Sequence, residues 1–527
     1  MNNWWQDAAI YQIYPRSFQD TSGDGIGDLE GICQRLGYLR DLGVGAIWLS
    51  PVFQSPMADF GYDISDYRAI DAMFGDMAGF DALLAEVHAH GLKLILDFVP
   101  NHTSDQHPWF IESRSGRDSA GRDWYIWRDP APDGGPPNNW ISNFGGPAWT
   151  FDEASGQYCH HAFLPEQPDL NWRNPDLRRA MHDVLRFWLD KGVDGFRVDV
   201  IWHLAKDAEF RDNPPNPAWE PGQPDIQRLL QRYSADQPHV HELVAGLREV
   251  IEEYSDRLLI GEIYLPVDRL VAYYGASNDG VHLPFNFQLI QAPWRAEVIG
   301  DLIEEYEASL PQGGWPNWVL SNHDQPRIAA RVGEAQARIA AMLLLTLRGT
   351  PTLYYGDEIG IADVHVPADR VQDPQARNEP DASFNRDRAR TPMQWSQEPF
   401  AGFSDAEPWL PLTDDHATRN VACQHDDPAS MLALHRALLS LRQDVSDLRA
   451  GDFGLIRSAP TLLAFRRGEG VAVVLNLSDA PVALSLPEPF ASGKVLLRAS
   501  SGEGGGAVPG ELGGNEGLVI ARSGAAG

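Results

Sequence analysis

GVDGFRVDV, residues 192–200, is a run of small and apolar residues that carries Arg197 and ends on Asp199 and Val200. Such a run is too continuous for a half-exposed strand and suits one buried on both faces. The texture recurs at 9–18 (AIYQIYPRSF), 46–53 (AIWLSPVF), 92–99 (LKLILDFV), 258–264 (LLIGEIY), 281–289, 317–321 and 352–355. Segments of helical period, such as 29–42 and 80–90, separate the early runs. Strand, helix, strand, repeated, predicts a parallel sheet with right-handed crossovers. Eight strands favour a closed (β/α)8 TIM barrel, an α/β fold, over an open sheet. The open-sheet alternative lacks its glycine fingerprint, and the turn SGDGIGD at 22–28 carries carboxylates that would repel a pyrophosphate.

The alternation breaks between 103 and 168, a stretch rich in Pro, Gly, Asn and Trp that includes DGGPPNNW at 133–140. It is too long for an ordinary barrel loop, so a small inserted domain is expected after strand three. The barrel then comprises 1–102 and 169–445, with an irregular stretch at 363–409 and a closing helix near 431–441. From 446 to 527 the texture changes to short alternating segments such as 462–466 and 471–477, which predict a C-terminal antiparallel β domain. The tail beyond 500 is Gly-rich and is expected to be loose at its end.

A formal net charge of −32 argues against nucleic acid, anionic membranes and anionic substrates, and favours a small neutral ligand. Cys33, Cys159 and Cys423 are widely separated and fall in no metal or redox spacing. A reducing, cytoplasmic location is therefore expected. No stretch has the length of a membrane span and no basic-then-apolar leader is evident; oligomeric state is not legible.

Active sites of such barrels sit where the strands end. Those ends carry Asp97 and His102 on strand three, Arg197 and Asp199 on strand four, Glu262 on strand five, and His323 and Asp324 on strand seven. The runs DFVPNH, GFRVDV, GEIY and SNHD, in this order, resemble the strand-end motifs of the α-amylase family of glycoside hydrolases. YQIYPRSF, FGYDISDY at 60–67, QPDLNW at 167–172 and RTPMQW at 390–395 extend the resemblance over essentially the whole chain. QPDLN resembles the α-glucosidase and oligo-1,6-glucosidase branch.

The resemblance implies retaining hydrolysis, which needs two carboxyl groups in different states. By motif match Asp199 is the nucleophile, Glu262 the acid/base and Asp324 the transition-state stabiliser. Arg197 and Asp199 are two residues apart and so share a strand face, where the cation is expected to lower the Asp199 pKa. Glu262 follows an apolar run, where desolvation and nearby carboxylates are expected to raise its pKa. Asp97 is expected to be structural, holding Arg197. The resemblance further assigns His102 and His323 to sugar hydroxyls, and Asp59 and Tyr62 to the closed end of the pocket. It pairs Arg390 with Asp59 as a cap over the non-reducing end. A capped pocket implies exo-action on terminal glucose.

Residues 20–28 (DTSGDGIGD) place oxygen donors at alternate positions: Asp20, Ser22, Asp24, the Ile26 carbonyl and Asp28. This is the donor rhythm of an EF-hand loop, although Gly31 stands where the bidentate glutamate would be, and the loop resembles a calcium loop in relatives. A structural Ca²⁺ (or Mg²⁺) and no organic cofactor are expected. Val200 matches a position where valine accompanies α-1,6 activity in relatives; as a β-branched residue it is equally at home as a barrel residue. The rival on the same scaffold is a transglycosylase or isomerase acting on maltose or sucrose, and the loop FNRDRART at 384–391 does not decide between them. A non-catalytic, transporter-associated relative predicts a lost carboxylate, and all three are present.

Overall fold

The computed structural model describes residues 3–379, 385–457 and 460–524. Phe384, which opens the FNRDRART loop, lies outside them. Eight parallel strands close into one barrel: Ile10–Ile13, Ala46–Leu49, Lys93–Phe98, Gly195–Val198, Leu258–Ile263, Leu283–Asn286, Asn317–Val319 and Thr350–Tyr354. Each pairs with its sequence neighbours, and the first closes the ring on the last at Ile10 and Thr352. Every residue of these strands is buried except the half-buried Lys93, which is why the runs read as mostly apolar, broken only by buried polar residues such as Asp97, Arg197 and Glu262. Each expected run overlaps one strand. The eighth begins earlier than expected, at Thr350, because Pro351 reads as a breaker yet sits inside the strand.

The crossovers show why local sequence folds as it does. Pro175–Lys191 starts with the Asn174 side chain accepting from the Asp176 N–H at 2.8 Å, has Pro at its first position, and stops at Gly192 in the left-handed region. It buries Leu177, Met181, Val184, Leu185, Trp188 and Leu189 as one stripe. The expected helix at 29–42 is two helices, Leu29–Gln34 and Leu36–Leu42, broken at Arg35. Arg35 leaves the helical conformation with its Nε donating to Gln19 Oε1 at 2.8 Å.

Within 103–168, Trp127–Arg128, Gln157–His160 and Trp149–Asp152 form a three-stranded antiparallel sheet over Ile126, Trp140, Ala148 and Trp149. Residues 446–450 are helical rather than β. A five-stranded antiparallel sheet follows, in the order Phe453–Arg457, Leu462–Arg467, Val471–Asn476, Gly517–Ala521, Lys494–Arg498. Gly517–Ala521 fills an inner position, with Leu518, Val519 and Ile520 fully buried, while the end of the tail at 525–527, where looseness is expected, lies outside the described residues. Among the described residues no helix is long and apolar enough to cross a membrane.

Candidate active site

Strand register brings the carboxylates together. Asp97 on strand three lies beside Arg197 on strand four, and Gly261 on strand five lies beside Val198. One step further along, Asp199 and Glu262 are therefore neighbours at the mouth. Arg197 is 0% exposed, and its Nη1 donates to Asp97 Oδ1 and to Asp199 Oδ1, both at 2.7 Å. Its Nη2 lies 2.8 Å from Glu262 Oε2, an ion pair outside hydrogen-bond alignment. Glu262 Oε2 accepts instead from the Val200 N–H at 2.8 Å.

The expected lowering of the Asp199 pKa does not occur. Burial raises Asp199 well above the ordinary carboxylate range, and Arg197 only opposes it. Glu262 is raised too, by burial first and by the carboxylate of Asp324, as expected. The physical reason is that Arg197 is shared: one cation faces Asp97, Asp199 and Glu262, and cannot discharge all three. The pair is therefore disposed to hold a proton between its two carboxyls.

Asp97 also accepts from Trp48 Nε1 at 3.2 Å and the Tyr62 hydroxyl at 3.1 Å, which makes it the anchor of Arg197 and the pocket wall. Gln12 Nε2 lies 2.8 Å from His323 Nδ1, and His323 Nε2 lies 2.6 Å from the Tyr62 hydroxyl. With Gln12 donating, the His323 proton sits on Nε2 and a relay runs from Gln12 through His323 and Tyr62 to Asp97. Tyr62 stacks on His323 at 5.4 Å, so one of its faces is already covered. Burial pushes His323 down to about 3 and His102 down to about 4, leaving both neutral at pH 7. For Asp324, burial is outweighed by its positive neighbours, including Arg386 and Arg390, which hold it well below the carboxylate range.

Asp59, Tyr62, His102, Asp199, Val200, Glu262 and Asp324 line one cavity of about 400 Å³. Arg197, His323 and Arg390 lie behind that lining. Arg390 does not make the expected ion pair with Asp59. Its Nη2 donates to Asp324 Oδ1 at 2.8 Å and its Nε to the His323 carbonyl at 2.8 Å. The cation on Asp59 is Arg386, whose Nη2 donates to Asp59 Oδ1 at 2.8 Å and whose Nη1 reaches Asp324 Oδ1 at 3.2 Å. Asp373 fixes that guanidinium through Nε at 3.0 Å and Nη2 at 2.8 Å. The short helical turn Arg386–Ala389 explains the exchange, because it aims Arg386 inward ahead of Arg390. Gln167, from QPDLN, joins the same wall, with Nε2 3.3 Å from Asp59 Oδ2 and 3.1 Å from His102 Nε2. Arg386 and Gln167 lay inside motifs already legible, but motif position alone does not mark which side chain reaches the pocket.

The 20–28 loop is an acidic turn tied by its own N–H groups. Asp20 accepts from Ser22, Gly23 and Gly25 N–H and from the Ser404 hydroxyl. Asp28 accepts from Thr21 and from Gly31, capping the helix at Leu29. Gly31 has no room for a glutamate: a Cβ there would meet the Gln19 carbonyl oxygen at 2.1 Å. Among the described residues no three His, Cys, Asp or Glu side chains gather into a metal-holding group. Asp20, Asp24 and Asp28 alone therefore do not make a site, and any cation here depends on the Ser22 hydroxyl and Ile26 carbonyl as well.

Residues 12–451 match the sequence model of the family described as alpha amylase, catalytic domain, and residues 449–519 match a domain of unknown function, DUF3459. The chain is 43% identical over 495 residues to an alpha-glucosidase of Culex pipiens, covering 91% of this chain and 82% of that one. It is 39% identical over 527 residues to an oligo-1,6-glucosidase of Parageobacillus thermoglucosidasius, covering 92% of each. The crystal structure of the alpha-glucosyl transfer enzyme XgtA superposes with a TM-score of 0.93 at 40% identity, covering 99% of this chain and 100% of that one. The trehalulose synthase MutB from Pseudomonas mesoacidophila MX-45 gives 0.90 at 34% identity, with the same coverage.

Proposed function

Because this chain belongs to the alpha-amylase family, we propose that it is a retaining, exo-acting α-glucosidase. It releases terminal non-reducing α-D-glucose from short oligosaccharides linked α-1,4, α-1,6 or both. The observation that carries this reading is the sharing of one buried guanidinium by Asp199 and Glu262, which keeps the two carboxyls at close quarters. Close carboxyls accompany the retaining mechanism; wider spacing would leave room for an attacking water.

With the proton that the pair holds placed on Glu262, Asp199 attacks the anomeric carbon as a carboxylate. The glycosidic C–O bond breaks as Glu262 gives its proton to the leaving oxygen, and a glucosyl ester forms on Asp199. Water then attacks the anomeric carbon, Glu262 takes its proton, and the ester bond to Asp199 breaks. Glu262 Oε2 is held by the Val200 N–H and faces Arg197, so Oε1 is the oxygen that carries the proton. Asp324, ionised by its arginines, grips sugar hydroxyls as positive charge builds on the ring. The Asp59–Arg386 pair closes the pocket beyond the terminal glucose and enforces exo-action.

Proton NMR during hydrolysis of maltose, isomaltose and sucrose tests the reading. α-Glucose is expected as the first product; β-glucose first, or trehalose or isomaltulose as the chief product, overturns it. The second reading, glucosyl transfer, is favoured by the superposition on XgtA, which is titled an alpha-glucosyl transfer enzyme. It is separated by the ratio of disaccharide to free glucose at high substrate concentration. Val200 lines the cavity and remains the candidate for linkage preference.

The loop at 20–28 is proposed to take a structural Ca²⁺ or Mg²⁺, supported by its five alternating oxygen donors. It would offer rigidity near the mouth and no step in catalysis. With EDTA, Tm is expected to fall by several degrees and to recover with Ca²⁺ or Mg²⁺; an unchanged Tm and a metal-free protein by elemental analysis reject the site. A cytoplasmic location is supported by three unpaired cysteines.

A further inference from the structure

Gln12 is a fully buried amide on the first barrel strand and does not line the cavity. Strand register sets it beside Trp48 on strand two and Tyr354 on strand eight. Its Nε2 lies 2.8 Å from His323 Nδ1 and donates to the Ser50 hydroxyl at 3.3 Å. Its Oε1 has no hydrogen-bond partner among the described residues. A buried amide left half unpaired lowers stability, so what distinguishes it from an apolar side chain of the same size is its hold on His323.

The His323 ring is packed against Tyr62 at 5.4 Å, Tyr14 at 5.8 Å and Trp48 at 6.2 Å, so its orientation is fixed and only its proton is left to place. Nε2 faces the Tyr62 hydroxyl at 2.6 Å and Asp324 Oδ2 at 3.2 Å. The Tyr62 proton is directed to Asp97 and Asp324 is ionised, so both neighbours of Nε2 accept. Nε2 therefore carries the proton, Nδ1 is bare, and the Gln12 amide is the donor opposite it. With the proton on Nδ1 instead, the Nε2 lone pair would face the Asp324 carboxylate and draw the Tyr62 proton away from Asp97. Asp97 would lose that hydrogen bond, and it anchors Arg197, the cation on the nucleophile.

We infer that Gln12 is a positioning residue, whose amide fixes the His323 proton on Nε2 and so sets Asp324, Tyr62 and, through Asp97, Arg197 for attack by Asp199. This inference rests on the glucosidase reading above. Asp324 and Arg197 act as charge shifts between the sugar ring and the nucleophile, so the effect falls on kcat more than on KM. In wild type, burial pushes His323 down to about 3, with Asp324 pulling upward and Arg390, Arg197 and Arg386 adding to the fall. The neutral ring thus leaves no step in the wild-type pH profile near neutrality. Gln12→Glu puts an acceptor where the donor stood. While the glutamate and Nδ1 hold a proton between them, Nε2 keeps its own. Once the shared proton leaves as pH rises, the remaining one is drawn to Nδ1 and Nε2 is bare. The titratable and charged groups facing the ring, Tyr14, Tyr62, Asp324, Arg197, Arg386 and Arg390, are the same in Gln12→Met, so the two variants isolate the exchanged side chain.

The test measures kcat and KM for maltose across pH in wild type, Gln12→Met and Gln12→Glu, with circular dichroism of each. Relative to wild type, kcat of Gln12→Glu is expected to fall as pH rises, to about tenfold or more below Gln12→Met, with KM kept within about threefold. Two variants that stay within about threefold of each other in kcat at every pH overturn the inference, because filling space would then be all that the side chain does. A loss carried by KM alone overturns it as well. Should Gln12→Glu fail to fold, long-range proton–nitrogen NMR of wild-type protein labelled in its imidazoles decides, with the His323 signals assigned by their loss in His323→Asn. The proton is expected on Nε2, and a proton on Nδ1 overturns the inference. Wild-type protein inactive on maltose rejects the glucosidase reading itself, a distinct outcome that leaves the NMR result standing.

Discussion

Asp199→Ala is expected to lower kcat for maltose by on the order of 10⁴-fold or more while leaving the fold intact. The loss is large because no other group takes the place of the carboxylate that forms the glucosyl ester. Stability should hold, since the change removes one of three buried carboxylates sharing Arg197 and leaves Asp97 and Glu262 to satisfy it. Glu262→Gln should cost about 10²- to 10⁴-fold on maltose and less on an aryl glucoside, whose leaving group needs less protonation. The pH profile separates the two. Activity requires Glu262 protonated, and burial has raised its pKa. The alkaline limb should therefore lie above the ordinary carboxylate range, with activity lost as pH rises through that raised pKa, and Glu262→Gln should abolish the limb. Steady-state kinetics across pH, with circular dichroism of each variant, check these outcomes.

Arg197→Met is expected to destabilise the protein by about 3–5 kcal/mol, the scale for breaking a buried ion pair from one side. Asp97, Asp199 and Glu262 would then face one another without their cation. Asp199 and Glu262 already have folded pKa values raised above their unfolded ones. Their contribution is favourable below the unfolded carboxylate pKa and lost as pH rises through the folded value. The variant's deficit should consequently grow from acid towards neutral pH, and adding Asp97→Asn should recover part of it. Urea unfolding at several pH values measures both.

The barrel was legible because strands buried on both faces leave continuous apolar runs, and because the strand ends carry the polar groups. Other features were hidden for particular reasons. Pro351 disguised the start of the eighth strand, and glycine disguised the inner strand 517–521. Three arginines, 386, 388 and 390, lie within one irregular loop, and only the short turn they adopt aims Arg386 at Asp59. Adjacency in sequence shows one cation beside one carboxylate and so points the Asp199 pKa downward, while strand register delivers two more carboxylates to the same guanidinium.

The central claim is that Asp199 forms a covalent glucosyl ester. Incubation with 5-fluoro-α-D-glucosyl fluoride, followed by proteolysis and mass spectrometry, addresses it most directly. One fluoroglucosyl unit is expected on the peptide containing Asp199, and none in Asp199→Ala. A label on a different carboxylate, or inactivation that proceeds equally in Asp199→Ala, would contradict the account.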